Sequence, residues 1–302
     1  MTGLAVIQTN RLSKSWGRVH AVRDLTLAVG ANRITGFLGR NGAGKSTTIK
    51  MLLGMAKPTD GEGQVLGKRI DDPSESVELR RHVAYVSEDK RLYGYMTVEQ
   101  TIRFTSAFYP DWRADVAKTL LKKYELPPGR KVKSLSKGMR SKLALLLALS
   151  RRPQLLILDE PSEGLDPVGV EQLLESLSTH CSDGTSVFFS SHQIEEVERI
   201  ADHVCILDRG RLLLDASLDE IRRSYRQIDL VFPFVPAHLE FQLTGVESVR
   251  TRGHQVSVFA SGNAEEIVER ARALQANAVE VTSVSLREIF LRTIKEDHNA
   301  LV

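Results

Sequence analysis

The stretch GRNGAGKST, residues 39 to 47, has the residue types and the spacing of a phosphate-binding loop. Glycines let a backbone wrap closely around phosphate oxygens, a lysine reaches the β and γ phosphates, and a serine hydroxyl ligates Mg²⁺. The pattern GxxxxGK[ST] therefore predicts a nucleotide site. The residues expected to contact the nucleotide are Gly39, Arg40, Asn41, Gly42, Ala43, Gly44, Lys45, Ser46 and Thr47.

A pair of acidic residues closes the apolar run LLILDE at residues 155 to 160. Mg²⁺ bound to phosphates commonly takes a carboxylate from the end of a neighbouring strand, which is the position of Asp159. Glu160 follows and is expected to act as the general base or to orient the attacking water. Taken alone, the pair fits two solvated carboxylates at the start of a loop equally well. Beside the phosphate loop it indicates an NTP-hydrolysing site, with Asp159 as a metal ligand and with Glu160 and Lys45 as catalytic residues.

The elements that must position these residues alternate between strands and helices. Apolar runs predict strands at 4–8, 25–29 and 34–39, the last leading into the phosphate loop, and a hairpin at 57–67 adds an antiparallel β layer. From about 91 to 150 the periodicity is helical, which predicts an inserted helical subdomain. Strands and helices alternate again from 155 onward, so the fold class is α/β with a mostly parallel sheet.

A second pattern begins after a boundary placed at residue 220. Residues 221–302 contain short β-rich runs and two helical segments, which predict a small α+β domain beside a first domain of residues 1–220. A domain of about 80 residues can bury only a small core.

Composition excludes several classes of protein. The 41 basic and 38 acidic residues are interspersed, so no nucleic-acid partner is expected. Cys181 and Cys205 show no CxxC or Cys/His spacing, which predicts inert thiols in a reducing compartment and no metal site. The apolar runs are far shorter than the roughly 20 residues of a membrane helix, and the N-terminus lacks the features of a secretory signal. A cytoplasmic protein is expected.

The order of five motifs resembles the ATP-binding subunit of ABC transporters over residues 1 to about 220: GRNGAGKST, LSKGM at 135–139, LLILDEP, EGLD at 163–166 and SSH at 190–192. The resemblance implies an ABC ATPase cassette of the phosphate-loop NTPase fold, in which two copies sandwich two ATP molecules head to tail. It assigns Ser136 and Gly138 of LSKGM to the γ-phosphate held by the other copy. The usual form is LSGGQ, so Lys137 and Met139 depart from it, and by itself the segment reads as a helix cap.

The resemblance implies further roles at four positions. His192 matches a switch histidine that contacts the γ-phosphate and the attacking water, and Asp166 matches a loop that signals between the two sites, while also suiting a helix cap before Pro167. Trp16 occupies the place of an aromatic that stacks on adenine, with core packing as the alternative. Glu88 stands where the family has a glutamine that contacts Mg²⁺ or water. A carboxylate can fill that role, although its charge alters the site.

The resemblance also implies partners. A homodimer, or a heterodimer with a related subunit, would work with separate membrane-spanning permease subunits at the cytoplasmic face of the membrane. Tyr93, Tyr95 and Met96 are candidate docking residues, unless they pack within the helical insertion. LSKGM, Glu88 and the C-terminal extension resemble the exporter branch. The alternatives are a soluble ABC ATPase that clamps a non-transport assembly, and a nucleotide-binding regulator, which the complete set of catalytic residues disfavours.

Overall fold

The computed structural model describes residues 5–234 and 243–300, except for the side chains of 295–300. The chain divides into two compact units, residues 1–215 and 216–302. The sequence pattern places the domain boundary at residue 220, whereas in the structure the first unit ends at Asp215. The reason is local: Ser217 already caps the first helix of the second unit, with its hydroxyl accepting from the Glu220 amide.

The strands of the first unit, in chain order, are β1 (Ala5–Trp16), β2 (Val19–Gly30), β3 (Ile34–Gly39), β4 (Asp60–Val65), β5 (Lys68–Arg69), β6 (Val83–Val86), β7 (Leu155–Asp159), β8 (Ser186–Ser191), β9 (His203–Asp208) and β10 (Arg211–Ser217). They form two sheets, of order β2-β1-β4-β5 and β10-β9-β3-β8-β7-β6. In the larger sheet β3 pairs in parallel with β8 and β9, and β7 pairs in parallel with β8 and β6. The mostly parallel sheet and the added antiparallel layer are both confirmed.

The helices of this unit are α1 (Lys45–Leu52), α2 (Pro73–His82), α3 (Val98–Ser106), α4 (Ala114–Lys123), α5 (Lys137–Leu149), α6 (Pro167–Ser182) and α7 (Ile194–Ile200). Helices α3 to α5 occupy the segment predicted as a helical insertion. No helix within the described residues is both long and apolar enough to cross a membrane.

Two parts of this unit differ from the sequence pattern. Helix α2 was not predicted, because it buries only Ser76 and Leu79 and therefore has no apolar periodicity; its start is fixed instead by the Asp72 side chain, which accepts from the Ser74 amide. Strands β1 and β2 are longer than the apolar runs, since their outer halves are polar and pair as a bulged hairpin around Gly17.

The core of the first unit lies where the two sheets and α1 meet. Ile7 and Leu25 from the antiparallel sheet, Phe37 and Leu155 from the parallel sheet, and Ile49 from α1 belong to one fully buried cluster. Because parallel strands share one direction, their carboxyl ends lie at one edge of the sheet. The residues after β3, β6, β7 and β8 therefore meet there.

The second unit contains α8 (Leu218–Ser224), β11 (Arg226–Val231), β12 (Val246–Arg252), β13 (Gln255–Ala260), α9 (Ala264–Ala273), β14 (Ala278–Ser283) and α10 (Leu286–Ala300). Its antiparallel sheet has the order β12-β13-β11-β14. Ile228, Val256, Val258 and Ile267 form its small core. These elements match the α+β pattern predicted from the sequence.

Candidate nucleotide site

The phosphate loop connects β3 to α1 through backbone positions that only glycine fits. Gly44 has φ +110°, and a Cβ there would lie 2.4 Å from the Ala21 carbonyl oxygen. A Cβ on Gly39 would lie 2.5 Å from the carbonyl oxygen of Leu207. The loop consequently turns tightly into α1, whose first residues line the cleft and lie at the positive end of the helix dipole.

Lys45 is a buried cation surrounded by oxygen atoms. Its side chain is 6% exposed, and its Nζ donates to the Gly39 carbonyl at 2.7 Å and to the Arg40 carbonyl at 3.3 Å. The same Nζ lies 3.1 Å from Oε1 of Glu160, whose side chain is 9% exposed. A buried charge needs such partners, and phosphate oxygens can replace them.

Glu160 is held in an unusual backbone conformation at the end of β7. Its φ is +47°, in the left-handed region that a non-glycine residue enters only when its surroundings compensate. Ser190 of β8 provides this compensation, because its Oγ accepts from the Glu160 amide at 3.1 Å and donates to Asp159 Oδ1 at 2.7 Å. One serine thus fixes both acidic residues against the neighbouring strand.

His192 follows β8 and contacts the other oxygen of the same carboxylate. Its Nδ1 lies 2.8 Å from Glu160 Oε2, and its ring remains 42% exposed toward the cleft. Glu160 therefore has Lys45 on one oxygen and His192 on the other. Glu160 thus contacts both other members of the predicted catalytic trio, although these are 147 positions apart in the chain.

The residues after β6 add charge to this edge of the sheet. Glu88 is exposed at the mouth of the cleft, and its pKa is raised by partial burial, by hydrogen bonding with Glu163 and by the negative charges of Asp159 and Glu160. Lys90 is buried, and its Nζ donates to the Glu160 carbonyl at 3.3 Å. Burial lowers the pKa of Lys90.

Three residues that support the site, Glu196, Ser190 and Lys90, are not predicted by the sequence pattern. Glu196 of α7 is buried, and its Oε2 accepts from Ser162 at 2.9 Å and from Ser191 at 3.2 Å. It thereby ties the loop after Glu160 to the strand end before His192. Burial raises the pKa of Glu196. The only signal in the sequence was an acidic residue next to Val197 on the buried face of α7, while Ser190 and Lys90 carried no signal beyond their neighbours.

The cleft at the sheet edge has a volume of about 770 Å³, within the range typical of ligand sites. It is lined by the loop residues 40–47 and by Glu88, Glu160, Glu163 and His192. Val19, His20, Ala21, Arg23 and Arg209 complete its described wall.

Four predicted contact residues lie elsewhere. Ser136 begins α5, where its hydroxyl accepts from the Met139 amide at 3.1 Å, and Gly138 lies in the first turn. Asp166 caps α6 and accepts from the Gly169 amide at 2.6 Å. Trp16 ends β1 with its ring 56% exposed and Lys14 Nζ 4.2 Å from the ring centroid. The prediction that Trp16 packs in the core is therefore wrong. Its stacking on adenine stays a prediction.

The chain is similar to known proteins in sequence and in fold. The family model described as ABC transporter matches residues 22–163. The bacitracin transport ATP-binding protein BcrA of Bacillus licheniformis is 33% identical over 242 residues, covering 79% of this chain and 75% of that protein. The uncharacterized ABC transporter ATP-binding protein YcbN of Bacillus subtilis is 31% identical over an alignment of 306 residues, covering 96% and 97%.

A solved ATP-binding subunit of an ABC transporter superimposes with a TM-score of 0.66 and 32% identity, covering 72% of this chain and 92% of that one. Motif order, site geometry and these similarities agree. The chain belongs to the ABC transporter ATP-binding proteins and is an ATP-hydrolysing cassette of that family.

Proposed function

We propose that this cassette hydrolyses ATP only as one half of a dimer and that the dimer drives export through separate membrane-spanning subunits. The observation that carries the catalytic part is the Glu160 carboxylate, which holds Lys45 on one oxygen and His192 on the other inside the cleft. The carboxylate can accept the proton of an attacking water, the imidazole can form a hydrogen bond with that water, and the ammonium group can stabilise the negative charge of the γ-phosphate.

Lys45 and Glu160 exchange partners when ATP binds. The Lys45 ammonium leaves the Gly39 carbonyl and the Glu160 carboxylate for the phosphate oxygens, which offer stronger charge-assisted hydrogen bonds. Glu160 is then free to accept a hydrogen bond from the attacking water and to take its proton. His192 keeps its contact with Glu160 and faces the cleft, so it positions the same water beside the γ-phosphate.

The oxygen ligands needed for Mg²⁺ are present at the same edge. Asp159 is 2% exposed and precedes Glu160 at the end of β7, and Ser46 and Glu88 line the cleft. Hard oxygen ligands are those that Mg²⁺ prefers, and the crowding of carboxylates that raises the pKa of Glu88 favours a cation there. When bound, the ion neutralises phosphate charge and holds the β and γ phosphates in place.

The dimer is proposed because several predicted nucleotide contacts lie outside the chain's own cleft. Ser136, Gly138 and Asp166 do not line the described wall of the chain's own cleft. The first amides of α5 have no partner within their helix, so they can bind an anion. We place these residues on the γ-phosphate of the second copy, with Asp166 between the two sites and Trp16 against the adenine of its own nucleotide.

An exposed aromatic surface supports a membrane-protein partner. Tyr93, Tyr95, Phe104 and Phe108 are between 41% and 68% exposed, and successive rings lie 5.1 to 5.8 Å apart. Tyr95 and Met96 also line a hollow of about 570 Å³. Such patches mark protein interaction sites. We propose that this surface receives a short helix of the permease, which would keep the cassette at the cytoplasmic face of the membrane.

Co-purification from membranes tests the proposal. Glu160→Gln keeps the size of the side chain but removes the base, so this variant should accumulate as an ATP-bound dimer that stays with the permease. Glu171→Gln, an exposed change on α6, is the matched control and should behave like the wild type. Recovery of Glu160→Gln as an ATP-saturated monomer, free of any membrane protein, would refute the dimer and the transport assignment together.

A further inference from the structure

Three metal-ligating side chains meet at the edge of the large sheet, away from the nucleotide cleft. His203 and Cys205 project from the same face of β9, two residues apart, and Asp215 projects from the neighbouring strand β10. Their ligand atoms all lie within 4.8 Å of one another. The nucleotide cleft, whose wall includes the phosphate loop, is not lined by any of these three side chains.

The three ligand atoms converge on one point. His203 Nε2 lies 2.5 Å from Asp215 Oδ1, and the Cys205 Sγ lies 3.4 Å from the same oxygen. A tetrahedral cation bound at about 2.0 to 2.3 Å by nitrogen, oxygen and sulfur separates its ligand atoms by about 3.3 to 3.7 Å. The distance between Cys205 Sγ and Asp215 Oδ1 already fits, whereas His203 Nε2 and Asp215 Oδ1 must move apart by about 0.8 Å. Small side-chain shifts therefore convert the hydrogen-bonded cluster into a ligand set.

We propose that His203, Cys205 and Asp215 form a binding site for a divalent transition metal of the Zn²⁺ class. Thiolate, imidazole and carboxylate are together the ligands that Zn²⁺ selects over Mg²⁺ or Ca²⁺. The three protein ligands leave a fourth position for water. The side chains of His203 and Asp215 are 17% and 32% exposed, which gives the ion a path from solvent.

The hydrogen bonds among the three side chains leave one buried polar atom unpaired. The buried Nδ1 of His203 has no hydrogen-bond partner among the described residues. The bound ion would cross-link edge strand β10 to β9 near the end of the first unit, and this cross-link stabilises the fold.

Sequence spacing gave no indication of this site. Inert cysteines are predicted because the sequence has no CxxC or Cys/His pattern. That search does not find the third ligand, because Asp215 comes from the next strand of the hairpin, ten residues after Cys205. Pairing of β9 with β10 brings the ligands together.

Titration of the full chain with Co²⁺ in a reducing buffer without nucleotide tests the proposal, because a thiolate bound to Co²⁺ gives a near-ultraviolet charge-transfer band that oxygen ligands do not give. The band should saturate at one equivalent per chain and disappear when Zn²⁺ is added. Cys205→Ser should abolish it, while Cys181→Ser, the matched change at the other cysteine, should leave it intact. A band that is absent, or that survives Cys205→Ser, overturns the site.

His203→Gln provides a second test that leaves the buried thiol in place. It should weaken Co²⁺ binding at least about tenfold. Zn²⁺ should raise the thermal midpoint of the wild type and leave that of His203→Gln unchanged. Retained ATP hydrolysis in this variant would show an intact fold, so that a failure of metal binding is separable from any failure of the proposed function. Equal Co²⁺ affinity in the variant and the wild type would also overturn the site.

Discussion

Two lysine–glutamate pairs lie close to the nucleotide cleft, and their surroundings differ sharply. Lys45 and Glu160 are 3.1 Å apart with side chains 6% and 9% exposed. Lys137 and Glu163 are closer, at 2.5 Å, but their side chains are 52% and 37% exposed. Lys45 belongs to the phosphate loop, whereas Lys137 belongs to LSKGM and joins it to the loop that follows Glu160.

The comparison shows that separation is a poor measure of what a charge pair does. Exposed pairs contribute about 0.2–1 kcal/mol because water and salt screen them. Two buried charges have lost their hydration, so removing one partner leaves the other uncompensated. We therefore propose that the longer Lys45–Glu160 pair is the one that exchanges partners with a phosphate, whereas the shorter pair links two loops.

Removing Lys45 should have the largest effect. Lys45→Ala deletes the cation for the developing phosphate charge, and ATP hydrolysis should fall about 10³-fold. Phosphate release at saturating ATP measures this loss. Lys50→Ala, on the exposed side of the same helix, is the control and should hydrolyse ATP at the wild-type rate. Near-normal turnover in Lys45→Ala would remove the basis for the buried pair's role.

His192→Ala should have the next largest effect, since it removes the group on the second oxygen of Glu160. Hydrolysis should decrease about 10²-fold because the attacking water loses a hydrogen-bonding group that positions it, while ATP binding is retained. His180→Ala on α6, where the ring contacts the Ser176 carbonyl, is the matched control. Unchanged turnover with weakened ATP binding would make His192 a binding residue instead.

Breaking the exposed pair should cost little. A double-mutant cycle with Lys137→Met and Glu163→Gln should give a coupling of about 0.2–1 kcal/mol in the free energy of unfolding, measured by urea denaturation. High salt should reduce it further. A coupling several times larger would show that exposure does not separate the two pairs.

The smallest effect concerns Glu88 and has a defined pH dependence. Its folded-state pKa is raised above the unfolded value, so ionisation disfavours the folded state and the penalty grows as pH rises through the folded pKa. Glu88→Gln should therefore unfold at a slightly higher temperature than the wild type near pH 8, and the difference should disappear near pH 4. Calorimetry of both proteins across this range measures it; a difference that grows on acidification would contradict the sign.

How much the sequence could predict depends on whether local pattern or tertiary contact fixes each part. The phosphate loop, the parallel strands and Asp159, Glu160 and His192 follow from local motifs, because glycine geometry and strand ends determine them. The left-handed backbone of Glu160 could not be predicted, since it depends on Ser190 from another strand. The link through Glu196 could not be predicted for the same reason, because it depends on Ser162 and Ser191 from other elements. Helix α2 shows no apolar periodicity because it buries only two residues.

Other expectations concern a second molecule, which no single chain can display. Ser136 and Asp166 serve as helix caps in this chain, and that role is compatible with a contact across a dimer. The exposed indole of Trp16 is likewise available to adenine.

The dependence of ATP turnover on protein concentration tests the central claim most directly, because the proposed site is complete only when two copies meet. Phosphate release per chain, measured at saturating ATP over a wide dilution series, should rise with concentration and reach a plateau as dimers form. Turnover per chain that stays constant down to concentrations at which light scattering shows only monomers would contradict the claim.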